Sequence, residues 1–213
     1  MRITEIFHSV QGESTYAGWP CVFVRTTGCN LRCVWCDTAY SFHGGEELSV
    51  EEIVDEVERL GGGCRLVELT GGEPLLQHDA GEVCRALLNR GYTVLCETSG
   101  SVEVDRVPGE VVKIMDLKAP GSGEADANLW ENLELLDPDR DELKFVLRDR
   151  EDYDWAVRRI EERDLGRFTV HFSPSFDELD SRELAEWVLE DGLDVRVNLQ
   201  IHKFIWKPEA RGV

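Results

Sequence analysis

Short β-type runs alternate with helical segments along this chain, and that alternation constrains its fold more than any other feature. Repeated strand–helix order indicates a parallel sheet with helices packed outside it. About six mostly parallel strands are too few for a closed eight-stranded barrel. We therefore expect an α/β fold, a partial (β/α) barrel that forms a single domain over residues 1–213. The six predicted strand runs are 21–25, 66–69, 93–97, 111–115, 143–147 and 168–172, and a further run is predicted at 195–200.

Helix signals fill the intervals between these runs. Ser49 and Glu52 form a capping box that begins one amphipathic helix, and three glycines at 61–63 end it. An acidic connection over 119–140 contains one short predicted helix. The remaining helices are predicted at 82–90, 153–163 and 182–190, with the short one at 129–136.

Chemically distinctive segments stand where the predicted strands end. They are a cysteine loop at 28–38, Thr-Gly-Gly-Glu-Pro at 70–74, Glu-Thr-Ser-Gly at 97–100, Asp-Leu-Lys at 116–118 and His-Phe-Ser-Pro at 171–174. In parallel α/β folds the carboxyl ends of the strands lie at one edge of the sheet and carry the active site. The sequence therefore predicts that these segments form a single site.

The net charge of −20, from 43 acidic and 23 basic residues, excludes several classes of partner. Such a chain repels nucleic acid and anionic membrane surfaces at long range. No stretch is apolar for long enough to cross a bilayer, and the first residues lack the features of a signal peptide, so we expect a cytoplasmic protein. An anionic substrate needs cations supplied locally, and His202 and Lys203 are candidates.

Seven cysteines occur, and their odd number in a cytoplasmic protein argues against a disulfide framework. Four lie among apolar residues and are predicted to be small hydrophobic side chains: Cys21, Cys64, Cys84 and Cys96. The other three form a C-x3-C-x2-C loop: Cys29, Cys33 and Cys36.

Three thiolates on so short a loop can ligate three irons of a 4Fe-4S cluster and leave the fourth iron without a protein ligand. An open metal position is typical of a catalytic site rather than a structural one. The alternative is a structural zinc site in a non-catalytic binding module, with Cys21 or His43 as the fourth ligand. The spacing, placed directly after a strand, favours the cluster.

This loop resembles the signature of the radical S-adenosylmethionine (radical SAM) enzymes, and the Gly-Gly-Glu at 71–73 is similar to a second motif of that superfamily. The resemblance implies catalytic roles for Cys29, Cys33 and Cys36, with SAM bound to the open iron and cleaved to a 5′-deoxyadenosyl radical. Gly72 suits a close backbone approach to SAM, since it has no side chain. The SAM-binding residues that the resemblance implies are Trp35, Cys36, Asp37, Gly72, Glu97, Ser99, Asp116, Lys118, Ser173, Pro174, Ser175 and Phe176.

Segments near both ends of the chain make the resemblance more specific within the superfamily. The segments 5–14, 17–20, 23–25 and 200–204 together resemble the 7-carboxy-7-deazaguanine synthases, over essentially the whole chain. That resemblance implies conversion of 6-carboxytetrahydropterin to 7-carboxy-7-deazaguanine with loss of ammonia, in queuosine or archaeosine biosynthesis. It also implies Mg²⁺, a homodimer, and an electron donor such as flavodoxin or ferredoxin.

The substrate residues follow partly from their chemistry. Gln11 and Glu13 can pair with the amide edge of a pterin, and the planar fork of Arg25 suits a carboxylate. The resemblance implies Thr38 as the Mg²⁺ ligand, and it places a chain-terminal proline near the substrate in some members, whereas here 209–213 follow Pro208. The full predicted set for the substrate is Val10, Gln11, Gly12, Glu13, Arg25, Thr70, His202 and Pro208.

A radical SAM activase that acts on a glycyl-radical partner protein is the remaining alternative. Activases share the cysteine loop and an Asp-x-Lys such as 116–118. A protein substrate requires a docking surface rather than pterin-pairing side chains near the start of the chain. Gln11 and Glu13 therefore favour a small-molecule substrate.

Overall fold

One nine-stranded sheet runs through the protein, in a computed structural model that describes all 213 residues. The strand order is β3-β1-β2-β4-β5-β6-β7-β8-β9. Strands β2 and β4 to β9 are parallel, while β1 is antiparallel to β2 and β3 is antiparallel to β1. The strands are β1 (Arg2–Val10), β2 (Pro20–Thr26), β3 (Glu46–Glu47), β4 (Leu66–Gly71), β5 (Thr93–Thr98), β6 (Val112–Asp116), β7 (Glu142–Leu147), β8 (Thr169–Pro174) and β9 (Arg196–Val197).

Five α-helices connect or follow these strands, and side-chain caps begin three of them. Ser49 and Glu52 form the predicted capping box of α1, Asp149 caps α3, and Asp180 caps α4. Each cap satisfies backbone N–H groups that have no partner within the helix. The helices are α1 (Val50–Gly61), α2 (Ala80–Asn89), α3 (Arg150–Glu162), α4 (Ser181–Asp191) and α5 (His202–Ile205).

The two faces of the sheet have different surroundings because side chains alternate along each strand. On β2, Val22 and Val24 face outward and belong to the main core with the apolar sides of α1 and α2. Cys21 and Phe23 face inward and contribute to a smaller apolar layer. Next on this inner face, toward the carboxyl ends of the strands, stands a layer of charged side chains that includes Arg25, Glu68, Glu97, Asp116 and Lys144.

The β1–β2 connection crosses the inside of the curved sheet. Its Thr15 donates a backbone N–H to Glu142 Oε2 at 3.1 Å on β7, and the same carboxylate accepts from His171 Nε2 at 2.6 Å on β8. The β1–β2 connection is thus joined through the interior to β7 and, through Glu142, to β8. A partial barrel is consistent with this arrangement, because the connection occupies the inside of a sheet that does not close on itself.

The six long parallel strands lie where the sequence predicts them, and two differences concern the ends of the chain. Residues 2–10 form a strand that was not predicted, because their polar motif obscured the alternation. The run predicted at 195–200 pairs only over β9, and the chain then turns back where Ile201 N donates to Gly12 O at 3.0 Å. His202 and Lys203 consequently begin α5. No helix has both the length and the apolarity to span a membrane.

Candidate active site

A cavity of about 360 Å³ opens at the carboxyl ends of the parallel strands. The five distinctive segments of the sequence all contribute to its wall, as the shared edge of a parallel sheet requires. All the predicted cluster, SAM, Mg²⁺ and substrate residues line it except Pro208. Val213 lines it instead, five residues further along the chain.

The cysteine loop follows β2 and is held by its backbone. Gly28 N donates to Ser41 O at 2.8 Å, and Val34 N donates to Ser122 O at 3.0 Å. Burial raises the pKa of the Cys29 thiol, although Leu31 N donates to its Sγ at 3.4 Å. Burial likewise raises the pKa of Cys33. The loop therefore presents three half-buried free thiols to one cavity.

These thiols fit an iron–sulfur cluster better than a single zinc ion. No three His, Cys, Asp or Glu side chains converge as ligands of one metal ion, whereas a cubane cluster spreads its cysteines over different irons. The proposed fourth zinc ligands do not reach the site, because Cys21 belongs to the apolar inner layer and His43 is exposed away from the cavity. In the same cavity Asp116 Oδ1 is buried without a hydrogen-bond partner, as expected of a group that meets a ligand.

Gly72 packs directly against the cysteine loop. A Cβ at this position would lie 2.2 Å from Gly28 O and 2.9 Å from Cys29 Cβ. Gly28 O also accepts from Glu73 N at 2.8 Å, which joins the end of β4 to the loop. Contact with the loop is thus a reason for glycine here that the sequence did not reveal.

We expect Gly72→Ala to displace the cysteine loop. Overpacking of this kind costs about 1–3 kcal/mol, and the displaced thiols should bind less iron and sulfide per chain after anaerobic reconstitution. Gly109→Ala is the matched control, because a Cβ there meets nothing within 4 Å. Iron and sulfide analysis of the two variants checks this, and equal cluster content in both would show that the close contact is unimportant.

Glu73 clamps two strand ends together. Its buried carboxylate accepts from Leu75 N at 3.0 Å, Thr98 Oγ1 at 2.9 Å, Ser99 N at 2.8 Å and Ser99 Oγ at 2.6 Å. The glutamate of the Gly-Gly-Glu motif therefore orders the loop after β5. Ser99, predicted to meet SAM, is oriented by these bonds.

A buried ion-pair network forms the floor of the cavity. Lys144 Nζ lies 2.7 Å from Glu13 Oε2 and also donates to Glu97, while Lys118 Nζ lies 2.8 Å from Asp116 Oδ2. Burial alone raises the pKa of Glu13, but the Lys144 charge and hydrogen bonds outweigh it and lower that pKa to about 2. Glu13 is therefore an ionised acceptor that faces the cavity.

Lys144 and Glu68 were missed by the sequence analysis. Both lie in the middle of apolar strand runs, between Leu143 and Phe145 and between Val67 and Leu69. A charged residue inside such a run was an available signal, since period-two alternation places it on the inner face of the sheet. It was not used.

Arg25 is positioned by a carboxylate on the neighbouring strand. Its Nε donates to Glu5 Oε1 at 2.8 Å, and Tyr40 OH donates to the same oxygen at 2.7 Å. Burial alone would lower the pKa of Arg25, but Tyr40 and Glu5 outweigh burial and raise that pKa above its ordinary value. The guanidinium therefore stays charged. Glu5 engages only Nε, which leaves the two terminal nitrogens available to a ligand.

The residues from α5 lie over the start of the chain. Lys203 Nζ pairs with Asp37 Oδ2 at 2.9 Å, and a Cβ on Gly12 would lie 2.0 Å from His202 Nδ1. Burial lowers the pKa of His202. Lys203 is thus paired with Asp37, and burial disfavours the charged form of His202. That these two residues supply local cations stays a prediction.

The curved parallel sheet, the three-cysteine loop and the Gly-Gly-Glu turn define the radical SAM class of enzymes. A family model described as the radical SAM superfamily matches residues 23–117, and this class uses a 4Fe-4S cluster and SAM. The crystal structure of QueE from Escherichia coli shares the fold, with a TM-score of 0.77 and 24% identity over 93% of each chain. The predicted fold class is confirmed.

Two full-length relatives identify the family within that class. The chain is 50% identical to the 7-carboxy-7-deazaguanine synthase of Koribacter versatilis, over 100% of both chains. It is 46% identical to the 7-carboxy-7-deazaguanine synthase of Chlorobaculum tepidum, over 100% of this chain and 97% of that one. The protein belongs to the 7-carboxy-7-deazaguanine synthase family.

Proposed function

We propose that this protein converts 6-carboxy-5,6,7,8-tetrahydropterin to 7-carboxy-7-deazaguanine with loss of ammonia, a step in deazapurine biosynthesis. One observation carries the proposal: a chain 50% identical over its full length to a named synthase has a cavity that joins three thiols to Gln11, Glu13 and Arg25. Thiols suit the cluster, and the other three side chains suit a carboxylated pterin.

The chain's own residues have separate tasks in this reaction. Cys29, Cys33 and Cys36 hold the cluster, which together with SAM supplies one-electron cleavage and hydrogen abstraction when both are bound. Ionised Glu13 accepts hydrogen bonds from ring N–H groups, and Lys144 keeps it ionised. Arg25 offers its terminal nitrogens to the substrate carboxylate. The substrate is thus held at two ends, which fixes its orientation toward the cluster side of the cavity.

A single anaerobic assay tests the function. The reconstituted protein is incubated with a reductant, SAM and 6-carboxytetrahydropterin, and the products are identified by mass spectrometry. We expect 7-carboxy-7-deazaguanine to form. SAM cleavage without formation of any deazapurine would contradict the proposed substrate. The glycyl-radical activase would then be the hypothesis to test, with candidate partner proteins.

We further propose that Thr38 helps to hold Mg²⁺ against the substrate carboxylate. Its Oγ1 lies 3.7 Å from Cys36 Sγ and lines the cavity, and Mg²⁺ prefers hard oxygen ligands with several waters retained. Pro208 does not line the cavity, and we assign it no role in substrate binding.

Thr38→Ala should weaken the dependence of turnover on Mg²⁺ and lower substrate affinity. Loss of a hydroxyl ligand to a charged group costs about 1.5 kcal/mol, or roughly tenfold in affinity. The cluster should remain, since no thiol is removed. Thr93→Ala, at the exposed start of β5, is the control. A Mg²⁺ titration of turnover decides the matter, and a curve unchanged by Thr38→Ala would remove this residue from the metal site.

Two partners are also proposed, in a cytoplasm where thiols stay reduced. An electron donor such as flavodoxin or ferredoxin is supported by Val34, which is 67% exposed between two of the cluster cysteines. A homodimer is supported by exposed apolar side chains near the open edge of the sheet, Phe204 at 69% and Ile205 at 54%. Light scattering of the purified protein tests the dimer.

A further inference from the structure

Glu68 is a buried carboxyl group that the mechanism above does not use. It lies in the middle of β4, is 2% exposed, and lines the active-site cavity. Gln11 Nε2 donates to its Oε2. Its other oxygen, Oε1, has no hydrogen-bond partner in the protein. A carboxyl group with one free oxygen in a binding cavity is positioned to meet a ligand.

Glu68 also lacks a counterion. No Lys, Arg or His nitrogen lies within 4.0 Å of it: Lys144 pairs with Glu13 and Glu97, and Arg25 pairs through Nε with Glu5. An unpaired buried carboxylate is costly, and such a group takes up a proton instead.

Burial and the charged groups around Glu68 together raise its pKa. Burial raises its pKa, and so do Glu97 on β5 and Glu13 on the β1–β2 connection; Lys144 on β7 and Arg25 on β2 oppose them less strongly. The pKa therefore lies well above the ordinary 4.5. Below that raised pKa the group is a neutral acid with an O–H to donate.

We propose that Glu68 determines substrate specificity by keeping its carboxyl proton and donating it as a hydrogen bond to an acceptor atom of the pterin ring. This inference rests on the proposed function. An aminopyrimidinone edge carries both N–H donors and oxygen or nitrogen acceptors. Ionised Glu13 serves the donors. Gln11 donates one amide N–H to Glu68, and its Oε1 accepts from Glu13 N at 2.8 Å. One N–H of Gln11 therefore remains, and the carboxyl O–H of Glu68 is a second donor beside it for the acceptor atoms of the ring.

Substitution by glutamine distinguishes a protonated carboxyl group at Glu68 from the ionised carboxylate of Glu13. In Glu68→Gln a neutral N–H donor replaces a neutral O–H donor, so affinity for the pterin should stay within about threefold of wild type. In Glu68→Ala the donor is lost and Gln11 loses its partner, which should weaken binding by roughly tenfold or more. Glu13→Gln should also weaken binding, because there a charged acceptor is lost.

The measurement is calorimetric titration of the reconstituted protein with 6-carboxypterin, an oxidised analogue, from acidic to alkaline pH. Wild-type affinity should be retained at low pH and fall as the pH rises through the raised pKa of Glu68. Glu68→Gln should lack that fall. Any pH dependence that comes from titration of the analogue itself affects both proteins equally and cancels in the comparison. Iron content and thermal unfolding of each variant establish that it is folded.

Two results would overturn the inference while the proposed function stands: Glu68→Gln binding as weakly as Glu68→Ala, or Glu68→Gln showing the same loss of affinity with rising pH as wild type. Both results are interpreted in this way only when the wild-type protein turns over 6-carboxytetrahydropterin. If the wild type neither binds the analogue nor turns over the substrate, the proposed function fails, and this inference fails with it.

Discussion

Replacing Cys29, Cys33 or Cys36 with Ala is expected to abolish SAM cleavage. Each thiolate would hold one iron of the proposed cluster, and the loop has no spare thiol, since no other cysteine lines the cavity. A cluster with two protein ligands is not retained in a loop built for three. We therefore expect an undetectable rate, below about a thousandth of wild type, because no residual path supplies the electron.

Cys64→Ala and Cys84→Ala are the controls for this result. Cys84 is buried in the main core, and Cys64 is half-buried near the amino ends of the strands, so neither is close to the site. Both variants should keep the brown colour, the iron and sulfide content, and SAM cleavage. A reconstituted wild type that binds zinc but no iron–sulfur cluster would refute the assignment of the three cysteines.

The second large effect is expected at Arg25. An acidic protein that draws an anion into its interior requires a local cation, and Arg25 is the charged group with unengaged nitrogens at the site. Losing one partner of a desolvated ion pair costs about 3–5 kcal/mol, or roughly 200- to 4,000-fold in binding. Arg25→Ala should lower kcat/KM for the carboxylated pterin by a factor in this range.

Arg25→Lys should restore only part of that loss. One ammonium cannot pair with Glu5 and also present two parallel donors to a carboxylate. SAM binding should survive in both variants, since we place Arg25 against the substrate carboxylate and not against SAM. Arg182→Ala is the matched control, because that side chain is exposed on α4 and pairs only with Glu186. Near-wild-type efficiency of Arg25→Ala would mean that another cation, such as Mg²⁺, carries the carboxylate.

Local patterns were sufficient for much of the fold. The capping box at Ser49 depends on residues three apart, and each parallel strand is a short apolar run, so neighbours in sequence specify both. The same holds for the C-x3-C-x2-C loop, whose three thiols are close whatever the rest of the chain does. The segments at strand ends converge because parallel strands share a carboxyl edge, which needs no knowledge of the strand order.

Other features required the complete structure. Lys144 meets Glu13 across 131 positions of sequence, and Glu68 meets Gln11 across 57. These pairs depend on which strands are adjacent and on the path of the β1–β2 connection. The position of Pro208 outside the cavity, and of Val213 in it, likewise follows from the turn at Ile201.

The sequence by itself determined the chemistry of this protein: the cysteine loop, the strand-end motifs and the family that they resemble. Only the tertiary structure decided which carboxyl groups are paired with a cation and which are buried without one. The physical reason is that a pKa depends on distance and burial. Both are set by strand order and by the curvature of the sheet, and neither is encoded in a local pattern of residues.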